Sequence, residues 1–130
     1  MEPLQNDKKA LGEISSLNLA YIGDGVYELM VRERLLRQGG RVRDLHTLAV
    51  EQVRAEAQAV AADRLLPLLT EREAAVYRRG RNARTARTDG AYHKATGLEA
   101  LFGYLYLSGE TARLRELFDE AMTAIGETAG

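Results

Sequence analysis

Residues Leu17–Leu36 read LNLAYIGDGVYELMVRERLL, and the way this stretch winds decides the fold. From Leu17 to Val31 it carries only two charges, Asp24 and Glu28. Wound at about 100° per residue, Asp24 shares a stripe with Leu17, Ala20, Tyr21, Tyr27, Val31 and Leu35. The opposite side holds Leu19, Ile22, Val26 and Leu29. A helix that is apolar on all sides is normally buried among other helices, so this reading puts Asp24 inside a helical core. A buried carboxylate is costly unless it is neutralised, paired or bound to a metal. Gly23 and Gly25 flank it, each weakening the turn by about 1 kcal/mol relative to alanine. Close packing against a neighbouring segment is a reason to keep them. The plainer reading of Asp24 is a salt-bridge partner or a surface residue on a misdrawn face.

Working outward, 130 residues with 45% hydrophobic and 28% charged content suit one domain with its own core. Residues 1–14, with Pro3, Gly12 and mixed charges, read as a loose leader to a single domain over 15–130. The absence of cysteine excludes disulfides and thiolate metal sites and suits a reducing cytoplasm. No charged-then-apolar leader and no long apolar run occurs, so neither a secretion signal nor a membrane span is expected. Net charge is −1, so any anion-binding surface must be a local patch.

Ser15 and Ser16 are candidate N-caps, and Gly39 and Gly40 are stop signals after about Arg37. Asp44 reads as the cap of a second, alanine-rich helix over about 45–62, packed against the first. His46, near its start, reads as solvated or capping. Arg64–Leu69, with Pro67, is a connector or a helical turn. Thr70-Glu71-Arg72-Glu73 has the form of a capping box opening a short helix over about 71–79, with Gly80 as its stop. Residues 92–108, YHKATGLEALFGYLYLS, repeat the first pattern. A single acid, Glu99, lies on an apolar helix, on one stripe with Tyr92, Ala95, Thr96, Phe102, Gly103 and Tyr106. Residues 111–125 form a last amphipathic helix through Leu114, Leu117, Phe118, Ala121, Met122 and Ile125. Period-two alternation is absent, so the expected class is all-α, a bundle of five or six helices without a sheet.

Between Glu73 and Asp89 there is no acid, while Arg78, Arg79, Arg81, Arg84 and Arg87 supply five cations. Glycine, asparagine and threonine punctuate the stretch, so it reads mostly as loop. Like charges this dense repel unless an anion is present, which favours a phosphate-binding arm over a merely solvated loop. Asp24 and Glu99 sit 75 residues apart, on two helices that both belong in the centre of a small core. If the helices touch at these residues, the carboxylates must share a proton, recruit arginine or bind a hard divalent cation. Oxygen donors without cysteine or paired histidine favour magnesium or manganese over zinc. Such an ion keeps waters, one of which can attack a phosphodiester.

Tyr21-Ile22-Gly23-Asp24-Gly25-Val26 resembles the signature helix of the ribonuclease III family, and Glu99-Ala100-Leu101-Phe102-Gly103-Tyr104-Leu105-Tyr106-Leu107 resembles its second acidic helix. The blocks stand in the family's order and separation. The nearest likeness is to the mini-ribonuclease III subfamily, which consists of the catalytic domain alone. Arg79-Gly80-Arg81-Asn82-Ala83-Arg84 is similar to that subfamily's basic loop, and no double-stranded RNA-binding domain is expected. Two acids of full-length members are missing: Ala20 stands four residues before Asp24, and Thr96 three before Glu99.

The resemblance implies a ribonuclease III endonuclease-domain fold and a homodimer that cuts double-stranded RNA into 5′-phosphate and 3′-hydroxyl ends. The implied substrate is large-subunit (23S) ribosomal RNA precursor in the bacterial cytoplasm. Asp24 and Glu99 are then the catalytic residues and the ligands of Mg2+, with Mn2+ able to substitute, and Thr96 is a candidate for a water-mediated metal contact. Arg78, Arg79, Arg81, Asn82, Arg84 and Arg87 are the candidate RNA contacts. The missing acids motivate one alternative, a non-catalytic RNA-binding or assembly domain with the same fold; another is a helical dimerisation protein whose buried acids pair with arginine.

Overall fold

The structure, a computed structural model, describes residue 11 and residues 13–83 and 89–129. The expected leader over 1–14 falls mostly outside the described residues. The described part holds six α-helices: α1 (Ser16–Gln38), α2 (Val42–Val53), α3 (Ala55–Leu65), α4 (Glu71–Arg81), α5 (Gly90–Leu107) and α6 (Thr111–Ala129). A 3-10 turn over Leu66–Leu68 carries Pro67 between α3 and α4. No strand occurs among the described residues, so the all-α expectation holds.

The caps explain where the helices begin and end. The Ser15 side chain accepts the Asn18 N–H at 3.1 Å, and α1 stops where Gly39 turns to φ 85°. The box at the start of α4 is reciprocal: Glu73 N–H donates to Thr70 Oγ1 at 3.2 Å, and Thr70 N–H donates to Glu73 Oε1 at 2.9 Å. Asp89 caps α5 by accepting the Ala91 N–H at 2.9 Å.

Helix α5 is the axis of the bundle, with α1, α3, α4 and α6 against it. Its residues Ala95–Leu98, Ala100–Gly103 and Leu105 are all buried. The main core joins Tyr27, Val31 and Leu35 of α1 to Leu101 and Phe102 of α5 and to Leu117 and Phe118 of α6. Tyr27 meets Phe102 and Phe118 edge-on, at ring-centre distances of 5.5 and 6.0 Å.

Four expectations need correction. Helix α1 is not enclosed. It buries Leu19, Ala20, Gly23, Tyr27, Val31 and Leu35, while Tyr21 is 81% exposed and Leu29 and Leu36 are each 68% exposed. Neighbours inside one chain cover only one side of it. The stretch expected as one helix over 45–62 is two helices. It begins at Val42 with Asp44 in the first turn, and it breaks at Arg54, whose backbone is extended (φ −69°, ψ 159°). That break sends α2 onto α1, while the alanine-rich α3 packs on α5 and α6. Gly80 does not stop α4, which runs to Arg81; it is a buried contact with α5. A Cβ there would come within 2.7 Å of the Ala100 Cβ and 3.0 Å of the Gly97 Cα.

The α4–α6 corner is locked by an ion pair. Glu73, 6% exposed, takes Arg113 Nε on Oε2 and Arg113 Nη2 on Oε1, both at 2.9 Å. Arg113 holds the Glu73 carboxyl below its usual range, chiefly through that hydrogen bond. Removing one partner of a buried pair leaves the other uncompensated. Arg113→Met is therefore expected to cost about 3 kcal/mol in urea denaturation, and a midpoint equal to wild type would refute the locking role.

Candidate active site

The site is made by a glycine-to-glycine crossing of α1 and α5. A Cβ on Gly23 would fall 1.6 Å from the Glu99 carbonyl oxygen, and one on Gly103 would fall 2.0 Å from the Leu19 carbonyl oxygen. Backbone thus touches backbone, and the residues beside the glycines are brought together. Asp24 follows Gly23 on α1 at the rim of the crossing. Glu99 lies one turn before Gly103 on α5.

The two carboxyl groups, distant in sequence, lie within hydrogen-bonding reach. Asp24 is exposed and Glu99 is half-buried, so Asp24 is not the core carboxylate expected from α1 alone. Burial first, then the charge of Asp24 and the hydrogen bond to it, push the Glu99 carboxyl up to about 8; the Gln58 amide works in the opposite direction. A cation beside the pair would favour the charged form of Glu99 and bring its carboxyl back down. Among the described residues, no third His, Cys, Asp or Glu joins them to make a larger metal-binding group. Two carboxylate oxygens on a solvent-facing rim fit a hard divalent cation that keeps most of its waters.

Ala20 and Thr96, where the resemblance expects acids, are both buried. Ala20 packs with Val76 and Ala100. The Thr96 hydroxyl donates to the Tyr92 carbonyl at 2.9 Å, one turn back on its own helix.

The arginines are only partly a loop. Arg78, Arg79 and Arg81 are exposed on the last turns of α4, and Asn82 is its C-cap, with Arg81 Nε donating to Asn82 Oδ1 at 3.3 Å. Arg84 and Arg87 lie outside the described residues. Arg81 and Asn82 line a shallow depression with Gly90, His93 and Lys94. Arg79 instead borders a cavity of about 710 Å3 with Arg72, Glu73 and Tyr104. The helical turn between Arg79 and Arg81 thus directs them to different surfaces. His46 is exposed.

One polar residue at the site escaped the sequence reading. Gln58 of α3 is 1% exposed, and its Nε2 donates to the Val53 carbonyl at 2.9 Å and to Glu99 Oε2 at 3.5 Å. The signal was present: Gln58, Ala61, Ala62 and Leu65 recur at helical spacing, one amide on an otherwise apolar face.

A family model described as Ribonuclease III domain matches residues 17–110. The Mini-ribonuclease 3 of Symbiobacterium thermophilum is 50% identical over 111 residues, covering 81% of this chain and 85% of that protein. That of Desulfitobacterium hafniense is 44% identical over 120 residues, with 88% and 76% covered. That of Thermoanaerobacter sp. is 41% identical over 126 residues, with 92% and 89% covered. Among solved structures, protein FN1578 from Fusobacterium nucleatum superposes with a TM-score of 0.78 at 26% identity, over 85% of this chain and 93% of that one. The matched segment contains both halves of the Gly23–Gly103 crossing, and by that match and these relatives the chain belongs to the ribonuclease III family, in its mini-ribonuclease III branch.

Proposed function

We propose that this chain is an endoribonuclease that hydrolyses the phosphodiester bonds of double-stranded RNA, with Asp24 and Glu99 holding Mg2+, or Mn2+ in its place. Family membership supports the coarser statement, a ribonuclease acting on RNA. The observation that carries the finer one is the meeting of Asp24 and Glu99 at the α1–α5 crossing, where burial first and then the charge of Asp24 raise the Glu99 carboxyl. When bound, the ion supplies Lewis-acid polarisation of the phosphodiester and a more acidic water. Asp24, exposed at the rim, would be the ligand nearer solvent and substrate. Glu99, half-buried beside it, would be the second ligand. Of the candidate contacts, Arg78, Arg81, Asn82, Arg84 and Arg87 meet phosphates and position the duplex without reading bases, since A-form RNA hides its major-groove edges, while Arg79 faces another surface.

The products are 5′-phosphate and 3′-hydroxyl ends, the substrate is precursor 23S ribosomal RNA, and the place of action is the cytoplasm. The working unit is a homodimer. The apolar side chains of Tyr21 and Leu29, left open on α1 in one copy, support it. Among the described residues, no helix is long and apolar enough to cross a membrane.

The test is a magnesium and manganese titration of cleavage on a perfect RNA duplex and on its separated strands. Metal-dependent products from the duplex alone are expected. Binding without products at any metal level would reject the proposal and favour a non-catalytic RNA-binding domain. The basic arm has its own expected result: neutralising Arg81 and Arg84 together weakens duplex binding and lowers its salt slope by about two. An unchanged slope would move the docking surface elsewhere.

A further inference from the structure

We infer that Gln58 is a positioning residue that orients the Glu99 carboxylate toward the cation; this rests on the reading of Asp24 and Glu99 as metal ligands. The first ground is the place of the side chain. Gln58 is 1% exposed on a face it shares with Ala61, Ala62 and Leu65, where leucine or methionine would fill the space with no polar atom to satisfy. Its Oε1 is buried and has no hydrogen-bond partner among the described residues. An orphaned buried carbonyl works against stability, so packing alone does not explain the amide.

The second ground is that the amide has one workable orientation. Its Nε2 carries two hydrogens and faces two oxygens, the Val53 carbonyl at 2.9 Å and Glu99 Oε2 at 3.5 Å. With Glu99 ionised, as a metal ligand must be, the flipped amide would set Oε1 against two acceptors. Val53 is the last residue of α2, so its carbonyl has lost its intrahelical donor at the Arg54 break. That carbonyl anchors one N–H, and the planar amide then aims the other at Glu99. The break between α2 and α3 therefore builds the support of the site. The donor is also neutral. An arginine or lysine here would bring the positive charge that the acid pair otherwise draws from an ion, whereas an amide restrains the carboxylate and leaves the charge uncompensated.

Gln58 also caps the joint, so the test must separate holding the joint from orienting Glu99. Tyr27 provides the control. Its hydroxyl donates at 3.3 Å to the Gln52 carbonyl, the neighbouring free carbonyl of the same joint. The experiment measures Mn2+ affinity by electron paramagnetic resonance, with thermal melts, for wild type, Gln58→Met and Tyr27→Phe. Gln58→Met is expected to melt within about 4 °C of wild type and to bind Mn2+ about tenfold more weakly, while Tyr27→Phe binds it as wild type does. Equal Mn2+ affinity in Gln58→Met would overturn the inference, and so would an equal loss in Tyr27→Phe.

If Gln58→Met does not fold, the wild-type protein answers the question. On titration with Mg2+, the Gln58 side-chain proton facing Glu99 should shift in nuclear magnetic resonance spectra while the one facing Val53 stays. Neither proton moving, with backbone amides of α5 shifting, would overturn the inference. A wild type that binds neither ion would instead refute the metal-site reading on which it rests.

Discussion

Gly23→Ala is expected to destabilise the domain by about 3 kcal/mol or more, while Gly25→Ala, two residues on, is expected to leave it unchanged or up to about 1 kcal/mol more stable. The added methyl at position 23 would stand 1.6 Å from the Glu99 carbonyl oxygen and 2.8 Å from the Gly103 nitrogen. Both are main-chain atoms, so no side-chain rotation relieves the overlap. Helices α1 and α5 would have to separate, exposing core surface around Tyr27 and Phe102 and drawing Asp24 from Glu99. At Gly25 a Cβ would meet nothing within 4 Å, and the ordinary gain in helix propensity decides the sign. Urea denaturation of the two variants reads the contrast. Equal stabilities would show that the crossing does not require glycine. Gly103→Ala should behave like Gly23→Ala, since its Cβ would lie 2.0 Å from the Leu19 carbonyl oxygen.

If Asp24 is the metal ligand we propose, Asp24→Asn is expected to lower duplex cleavage at least about a thousandfold, because it would remove a charged ligand from an ion worth several kcal/mol to the transition state. Binding of the duplex should survive, since the arginines are untouched. The fold should also survive, since Asp24 is exposed and surface substitutions usually cost within about 0.5 kcal/mol. Retained cleavage in a clean preparation would reject the catalytic assignment.

The same variant makes a second, independent prediction in metal-free buffer. The folded state raises Glu99 from its ordinary value near 4.5 to about 8. A folded state that holds the proton more tightly than the unfolded chain is favoured while that proton is on. The contribution is complete below pH 4.5 and is lost as pH rises to about 8. Wild type in chelator should therefore lose stability across that window, on the order of a few kcal/mol, and Mg2+ should restore part of it at the upper end. Asp24→Asn removes the charge contribution and leaves burial, so its decline should be shallower and finish at lower pH. Thermal melts from pH 5 to 8 test this, and parallel declines in the two proteins would contradict the coupling.

The local rules of capping and period explain which features were readable in the chain. Ser15, Thr70 with Glu73, and Gly39 act on backbone groups within four residues of themselves, so their meaning travels with the sequence. The 3.6-residue spacing of apolar residues likewise marks helices wherever they pack. Asp24 and Glu99 stood out because each interrupts an apolar run, and family likeness then attached a chemistry to them.

What the linear chain could not carry is which neighbour covers which side. Helix α1 is apolar on both faces, and only its partners within the fold decide that Ala20, Gly23 and Tyr27 go inward while Tyr21 and Leu29 remain outside. Asp24 is exposed for the same reason. The break at Arg54 has no proline or glycine to announce it; the extended residue is fixed by where α3 must go to reach α5 and α6. Gly80 looked like a stop signal because glycine ends helices when it turns to positive φ, whereas here it stays helical and brings α4 against Gly97. The period of Gln58 with Ala61, Ala62 and Leu65 marks it as inward-facing, but only the packing of α3 on α5 brings it to Glu99. Composition, period and caps thus determined that this chain is a set of helices bearing two unusual acids. The tertiary structure decided that those acids meet, because backbone contact through Gly23 and Gly103 is a property of two segments at once and no local interaction encodes it.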